Sequence, residues 1–474
     1  MRNACKLCLL PLLSILFFAG YVEARDIYVR LADGPSSVSL SSDGTITLLD
    51  AGKKNFGLGK TAVLTRSGGF ALVGKNKFSL PLQISSSGLL GFKGRKYRGK
   101  FLLTKEFVLI NILDVEDYIR GVLPAEAIPG WPIEYLKVQA IISRTYGLRQ
   151  SLNRSVRGYD VADNTSDQVY KGAGVETTFT NQAIKETEGE VLAYGGNLAF
   201  TPYHSDSGGH TATNAHVWGK DIPYLRGVKE LVVYQSPNTN WTAKISGSQV
   251  QAALAKVGGN IGRVKEIQVS EMDSGGRATN LTFIGSGGSS TIKSSQFRTV
   301  IGPNLLKSTM LTNGVPLPKT LQGTKTPNTP AKNDALLGAP VPTSNLSMSE
   351  TEELRLILMT SEGVFTSTEL MDMLLKPEKR KEYLYIGIER SGSEKKKEPP
   401  KTPLPKSLPS ASMPTLRSGG SISEENGYFV FQGRGWGHGV GLSQWGAQAL
   451  AREGWTARRI LEHYYPGTAV KRFQ

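Results

Sequence analysis

The chain has 474 residues, 39% of them hydrophobic, which is enough for a globular core spread over about two or three domains. Lysine and arginine number 56 against 40 aspartates and glutamates, a formal net charge of +16, so the chain is drawn to anionic surfaces such as cell-wall polymer or lipid headgroups. Its two cysteines, Cys5 and Cys8, lie near the start, which excludes a disulfide framework, a thiol nucleophile and a cysteine metal cage for the rest of the chain.

Arg2 and Lys6 precede an apolar run from Leu7 to about Val22, and "VEA" ends at Ala24. This pattern predicts a secretory signal peptide over residues 1–24. The alternative is an uncleaved anchor, for which the run falls short of the ~20 residues a span needs. An exported chain with no basic helix or aromatic-rich face is a poor partner for nucleic acid.

Residues 25–113 read as a β-rich region. "DIYVRL", "SVSLSS", "TITLLD", "FALVG", "LPLQIS" and "FVLINIL" are short, rich in β-branched residues and separated by turn residues. At Asp114 the period changes. "DVEDYIRGVL" predicts a helix capped by Asp114, with Val115, Tyr118 and Val122 on one side. "PAEAIPGWP" reads as an interruption, which puts Glu126 in a loop beside Trp131. Pro132 then opens a second helix with Ile133, Leu136, Ala140 and Ile141 on a buried stripe.

Residues 114–312 read as a mixed α/β core with a helix near 181–187 and strands such as "GEVLAY", "AFTPYHS" and "VKEIQVS". From 313 to 424 the composition turns to Pro, Ser, Thr and Lys, the signature of disordered linkers, around a segment of helical periodicity at 349–389. Loop closure depends weakly on loop length, so removal of 320–420 is expected to spare the fold. Order is expected again at Gly427, and residues 425–474 are too few for a core of their own. "YFVFQGRGWGHGVG" reads as a strand running into a ribbon with glycine at every second position. Two helices follow, the first with Ser443 as cap and Gly454 as stop.

Three clusters carry candidate chemistry. The ribbon offers Arg434, Trp436 and His438 on one face, followed by Gln444, which suits a hydroxyl-rich polymer; a crowded core strand explains its glycines equally well. The stretch 199–219 holds His204, His210 and His216 with Tyr203, Ser205 and Ser207. Its histidine spacing fits no standard metal pattern, so polar substrate contacts from Tyr203, His204 and Ser207, exposed by the Gly208-Gly209 turn, compete with a zinc reading. Glu126 is either a solvated acid or a carboxyl kept protonated by a dry cleft, the requirement for a general acid near neutral pH.

Together these motifs resemble the SpoIID/LytB family. "NILDVEDYIRGVLPAEAIPGWPIEYLKVQAIISRTYGL", "QVYKG", "YHSDSGGHT", "VWGKDIPYL", "FRTVIGPNLLKST", "GRGWGHGVGLSQWGAQALAREG" and "ILEHYYPGT" occur in the family's order, over roughly 90–312 and 425–470. The resemblance implies an α+β, SpoIID-like fold and a peptidoglycan lytic transglycosylase in the periplasm or cell wall. Glu126 falls on the family's catalytic glutamate and Arg144 on its essential arginine. Substrate contacts are then expected from Arg144, Tyr146, Gln168, Tyr170, Tyr203, His204, Ser207, Arg434, Trp436, His438 and Gln444, with no cofactor and no metal. The zinc site of some members would lie in "DNTSD", which lacks the ligands. Partners implied are glycan strands and an N-acetylmuramoyl-L-alanine amidase. Because some members are amidase enhancers, a non-catalytic glycan-binding module is the alternative, and a histidine-metal hydrolase a third. Asp206 is open as a second carboxylate.

Overall fold

The structure is a computed structural model that describes residues 26–152, 154–313, 379–392 and 420–473, together with 356, 369 and 373. The expected signal peptide at 1–24 and most of the 313–424 segment lie outside the described residues.

Helices and sheets both contribute, in an α+β arrangement. The β-rich start folds into two sheets. The first runs in the order 161–162, 26–32, 109–114, 100–103, 82–86, 46–49, 55–57. The second runs 95–97, 90–92, 37–42, 61–67, 70–73, 76–79. Burial alternates along several of their strands, as in "SVSLSS", where Val38 and Leu40 face inward and the serines outward, while Leu109–Asp114 is buried almost throughout.

Helix α1 spans Val115–Glu126, with the Asp114 side chain accepting from the Glu116 N–H at 2.8 Å. It does not stop at "PAEAIPGWP": it passes through Pro124, buried in the last turn, and ends on Glu126, so Glu126 is a helix terminus and not a loop residue. A proline there removes one N–H but leaves the backbone helical, because the Ala127 N–H still closes on Leu123 O at 2.9 Å. Helix α2, Ile133–Ser151, is buried almost all round and packs against α1 and the helices 178–186, 444–452 and 457–464.

Among the described residues two large apolar cores result. One joins the N-terminal sheets, α1 and α2 to Val440, Leu442, Trp445, Leu450, Ile460 and Tyr464 from beyond the insert. The other joins Trp241–Leu311 residues to Ile422, Phe429 and Phe431. The C-terminal stretch thus contributes to both. Order returns earlier than Gly427, since the strand Ser421–Ser423 pairs with Glu266–Gln268.

The glycine ribbon is not a strand. The strand Tyr428–Gly433 ends at Gly433, only single bridges at Trp436 and Val440 follow, and Gly435, Gly437, Gly439 and Gly441 all have positive φ. Gly435, at φ 74°, passes where a Cβ would lie 2.5 Å from Asp206 O, and Gly441, at φ 73°, where it would lie 2.1 Å from Pro202 O. The glycines serve a winding loop laid backbone against backbone on the 202–208 segment. "AFTPYHS" likewise keeps only Tyr203–His204 as strand, paired in parallel with Leu442–Ser443. Among the described residues no helix is long and apolar enough to cross a membrane.

Candidate active site

Glu126 reaches its position because α1 ends there, inside a ring of tyrosines. The Val169 N–H donates to its Oε1 at 2.7 Å, and the Tyr203 hydroxyl also bonds to the carboxyl. Behind them runs a relay: Tyr118 OH donates to Gln168 Oε1 at 2.9 Å, and Gln168 Nε2 donates to the Tyr203 hydroxyl at 3.2 Å. Gln444, at the start of a helix some three hundred residues later in the chain, donates to the Glu126 carbonyl at 2.9 Å. The residue keeps some surface open to solvent. Its carboxyl is nonetheless densely packed, and this desolvation raises its pKa from 4.5 to about 7, against the lowering effect of the Val169 N–H and Tyr203.

Trp131, expected beside Glu126, is 4% exposed and stacks edge-on against Tyr135 and Trp445 at centroid distances of 4.7 and 5.1 Å. Tyr135 bonds Gln139 Oε1 at 3.1 Å. These rings form the dry wall under the end of α1.

The other expected residues divide into two sets. Tyr203, Gln168 and Gln444 converge on Glu126, though Gln168 is fully buried and touches the site through Tyr203. Tyr146 lies nearby, its hydroxyl donating to Asp167 at 2.9 Å. Arg144 is fully buried, its guanidinium forked onto Glu116 at 2.8 and 2.7 Å and onto Glu190 O at 2.9 Å. Tyr170 is 1% exposed and donates to Asn111. Neither side chain has surface for a ligand; both hold the scaffold around α1 and α2.

Tyr203 and His204 are strand neighbours and point to opposite faces. His204, opposite Tyr203, packs with His438. His204 is 4% exposed, with its ring 5.4 Å from His438, and Trp218 stacks on His438 at 4.8 Å. Desolvation lowers the pKa of both imidazoles, that of the partly exposed His438 to about 3. Trp436 pairs its backbone with Asp206, and Lys307 sits 5.7 Å from its ring. Among the described residues no hydrogen bond joins Arg434, Trp436 or His438 to Glu126.

The Gly208-Gly209 turn does not expose its neighbours. Ser207 is fully buried and donates to Glu230 at 2.6 Å. Asp206 is 2% exposed and accepts from the Gly208 N–H at 2.8 Å, Tyr234 OH at 2.9 Å and Ser236 Oγ. His210 bonds its neighbour's carbonyl, and His216 lies on the short helix Asn214–Trp218, so the three histidines do not meet. Among the described residues no three metal-ligating side chains cluster.

Sequence reasoning missed Glu230. Its carboxyl, held by Ser207 and by Tyr464 OH at 2.6 Å, is also raised to about 7, chiefly by burial. "VKELVV" carries no motif that marks it, and its partners come from three distant segments. Glu230 is sealed at 8% exposure, whereas Glu126 is partly open.

Residues 104–194, which contain α1, α2 and Glu126, match the family model SpoIID, Stage II sporulation protein. The chain is 32% identical over 219 residues to an uncharacterised protein of Brachyspira hyodysenteriae, covering 45% of this chain and 58% of that one. It is 26% identical over 367 residues to the Amidase enhancer of Bacillus subtilis, covering 74% of this chain and 40% of that one. It is 28% identical over 160 residues to Stage II sporulation protein D of the same organism, covering 31% and 47% respectively. The chain spans about half the length of the curated relatives it matches.

Proposed function

The chain is a member of the SpoIID/LytB family through its 104–194 domain, and on that premise we propose that it is an exported cell-wall enzyme, a lytic transglycosylase that cleaves peptidoglycan glycan strands already stripped of peptide by an amidase. The observation that carries this reading is a partly open glutamate set among aromatic side chains, with its carboxyl pushed up to about 7 by burial. The Val169 N–H occupies Oε1, which leaves Oε2 as the oxygen to carry the proton in this scheme.

Glu126 gives that proton to the glycosidic oxygen as the bond to C1 breaks. The carboxylate it becomes then takes the proton of the sugar's own C6 hydroxyl. The O6 oxygen attacks C1 and closes a 1,6-anhydro ring. Glu126 is thereby reprotonated and no water enters. A two-carboxylate glycosidase would need a second acid facing the first across the bond. Saturation of Asp206 by three donors supports the single-glutamate scheme.

Arg144 and Tyr170 act in this scheme by positioning, and Tyr203, Tyr146 and Gln444 border the reacting groups. A basic chain meets an anionic wall polymer favourably. A non-catalytic role as an amidase enhancer is the second reading, favoured by the long alignment with the relative of that name. Incubating purified protein with amidase-treated and untreated sacculi separates the two. Anhydro-ended fragments released from treated sacculi support the enzyme, and intact strands with a faster added amidase support the enhancer.

A further inference from the structure

The end of α1 is held from inside the insert. The last carbonyls of a helix lack intrahelical partners, and Pro124 weakens this turn further by removing an N–H. Leu123 O accepts from the Ala127 N–H, and Glu126 O accepts from Gln444 Nε2. Pro124 O accepts from Arg380 Nη2 at 2.6 Å. Arg380 opens the insert helix Arg380–Gly392 and is 7% exposed. Leu384, one turn on, is 1% exposed, and Gly387 is buried, while Glu382 and Tyr385 face solvent. Positions 380, 384 and 387 follow the i, i+4, i+7 spacing of one helix face, so this helix buries one face and carries Arg380 on it. A guanidinium at a helix C-terminus also meets the negative end of the macrodipole. The segment read from composition as removable therefore supplies a remote clamp on the backbone of the catalytic turn, as does Gln444, which follows it in the chain.

We infer that Arg380 is a positioning residue: by binding Pro124 O it fixes the last turn of α1 and so the aim of the Glu126 carboxyl, which makes the insert a working part of the catalytic unit. Its effect on cleavage rests on the transglycosylase reading, while its effect on the helix end does not. Arg380→Met keeps the apolar stem and removes every donor; Arg380→Lys keeps charge and a donor. Full-length wild type and both variants are compared for kcat and KM on amidase-stripped strands and for hydrogen exchange of the Ala127 amide.

A misplaced catalytic group costs rate, so Arg380→Met should lower kcat by about tenfold or more with KM within about twofold, and Arg380→Lys should restore part of it. Exchange at Ala127 should quicken in Arg380→Met and return toward wild type in Arg380→Lys. Wild-type kcat in Arg380→Met, or a fall in kcat with unchanged exchange at Ala127, overturns the inference. If wild type leaves the strands intact, the transglycosylase reading fails, and the exchange comparison alone decides whether Arg380 holds the turn. If Arg380→Met does not fold, Arg380→Lys against wild type carries the same two readouts: wild-type kcat with quickened exchange overturns the inference, and a parallel loss in both supports it.

Discussion

Replacing Glu126 with glutamine should stabilise the protein at alkaline pH while it abolishes cleavage. Burial raises the carboxyl pKa from 4.5 to about 7. Each unit is worth about 1.4 kcal/mol, so ionising Glu126 costs the fold about 3–4 kcal/mol at most. The folded chain holds this proton more tightly than the unfolded chain. Stability contributed by the protonated form is therefore complete below about pH 4.5 and is lost as pH rises to about 7. Glutamine keeps the acceptor for the Val169 N–H and does not titrate. The two proteins should melt alike near pH 4, and the variant should gain up to about 3–4 kcal/mol over wild type by about pH 8. Paired melting curves across that range, with cleavage assayed on the same samples, measure both effects. Loss of the general acid should slow cleavage by about a hundredfold or more. A stability difference that does not grow with pH would refute the desolvated-acid reasoning, and near wild-type cleavage would remove Glu126 from the chemistry.

Glu230→Gln should likewise gain stability above about pH 7 yet keep cleavage, because its carboxyl is sealed by Ser207 and Tyr464; loss of cleavage with an intact fold would move the catalytic role to Glu230. Tyr203→Phe removes a bond that lowers the Glu126 pKa, so the alkaline limb of the pH–rate profile should move upward; an unmoved limb would show that Tyr203 does not tune the acid. Arg144→Ala strands Glu116 in a part-buried site and should destabilise the protein by about 3 kcal/mol or more, seen as a lower melting temperature; an unchanged melt with lost substrate binding would point to direct contact instead. Gly441→Ala sets a Cβ 2.1 Å from Pro202 O at positive φ and should cost about 2 kcal/mol or more by melting; a neutral result would contradict the packed loop.

The parts legible in sequence are those with local signals. Alternating serines and apolar residues mark the strands of 26–113, and Asp114, Pro132 and Ser443 mark helix starts that the structure places within a residue. The ribbon misled because its spacing of two matches a strand. That spacing arises from positive-φ turns, which only contact with Asp206 and Pro202 explains. The motif singles out Glu126 as a candidate acid, but it does not show the surroundings. Val169, Tyr203 and Gln444 arrive from segments far apart in the chain, and no local pattern encodes their meeting. Burial of Arg144, Tyr170, His204 and Ser207 was hidden for the same reason: polar residues read as available until the structure assigns each a partner.

The most direct test of a single-glutamate lytic mechanism is to digest amidase-stripped glycan strands in ¹⁸O-labelled water and weigh the new ends, with the Glu126→Gln variant alongside. Intramolecular closure by the C6 hydroxyl predicts 1,6-anhydro ends free of ¹⁸O from wild type and intact strands from the variant. Reducing ends carrying ¹⁸O would show that water is the nucleophile, and equal cleavage by both proteins would show that Glu126 is not the acid.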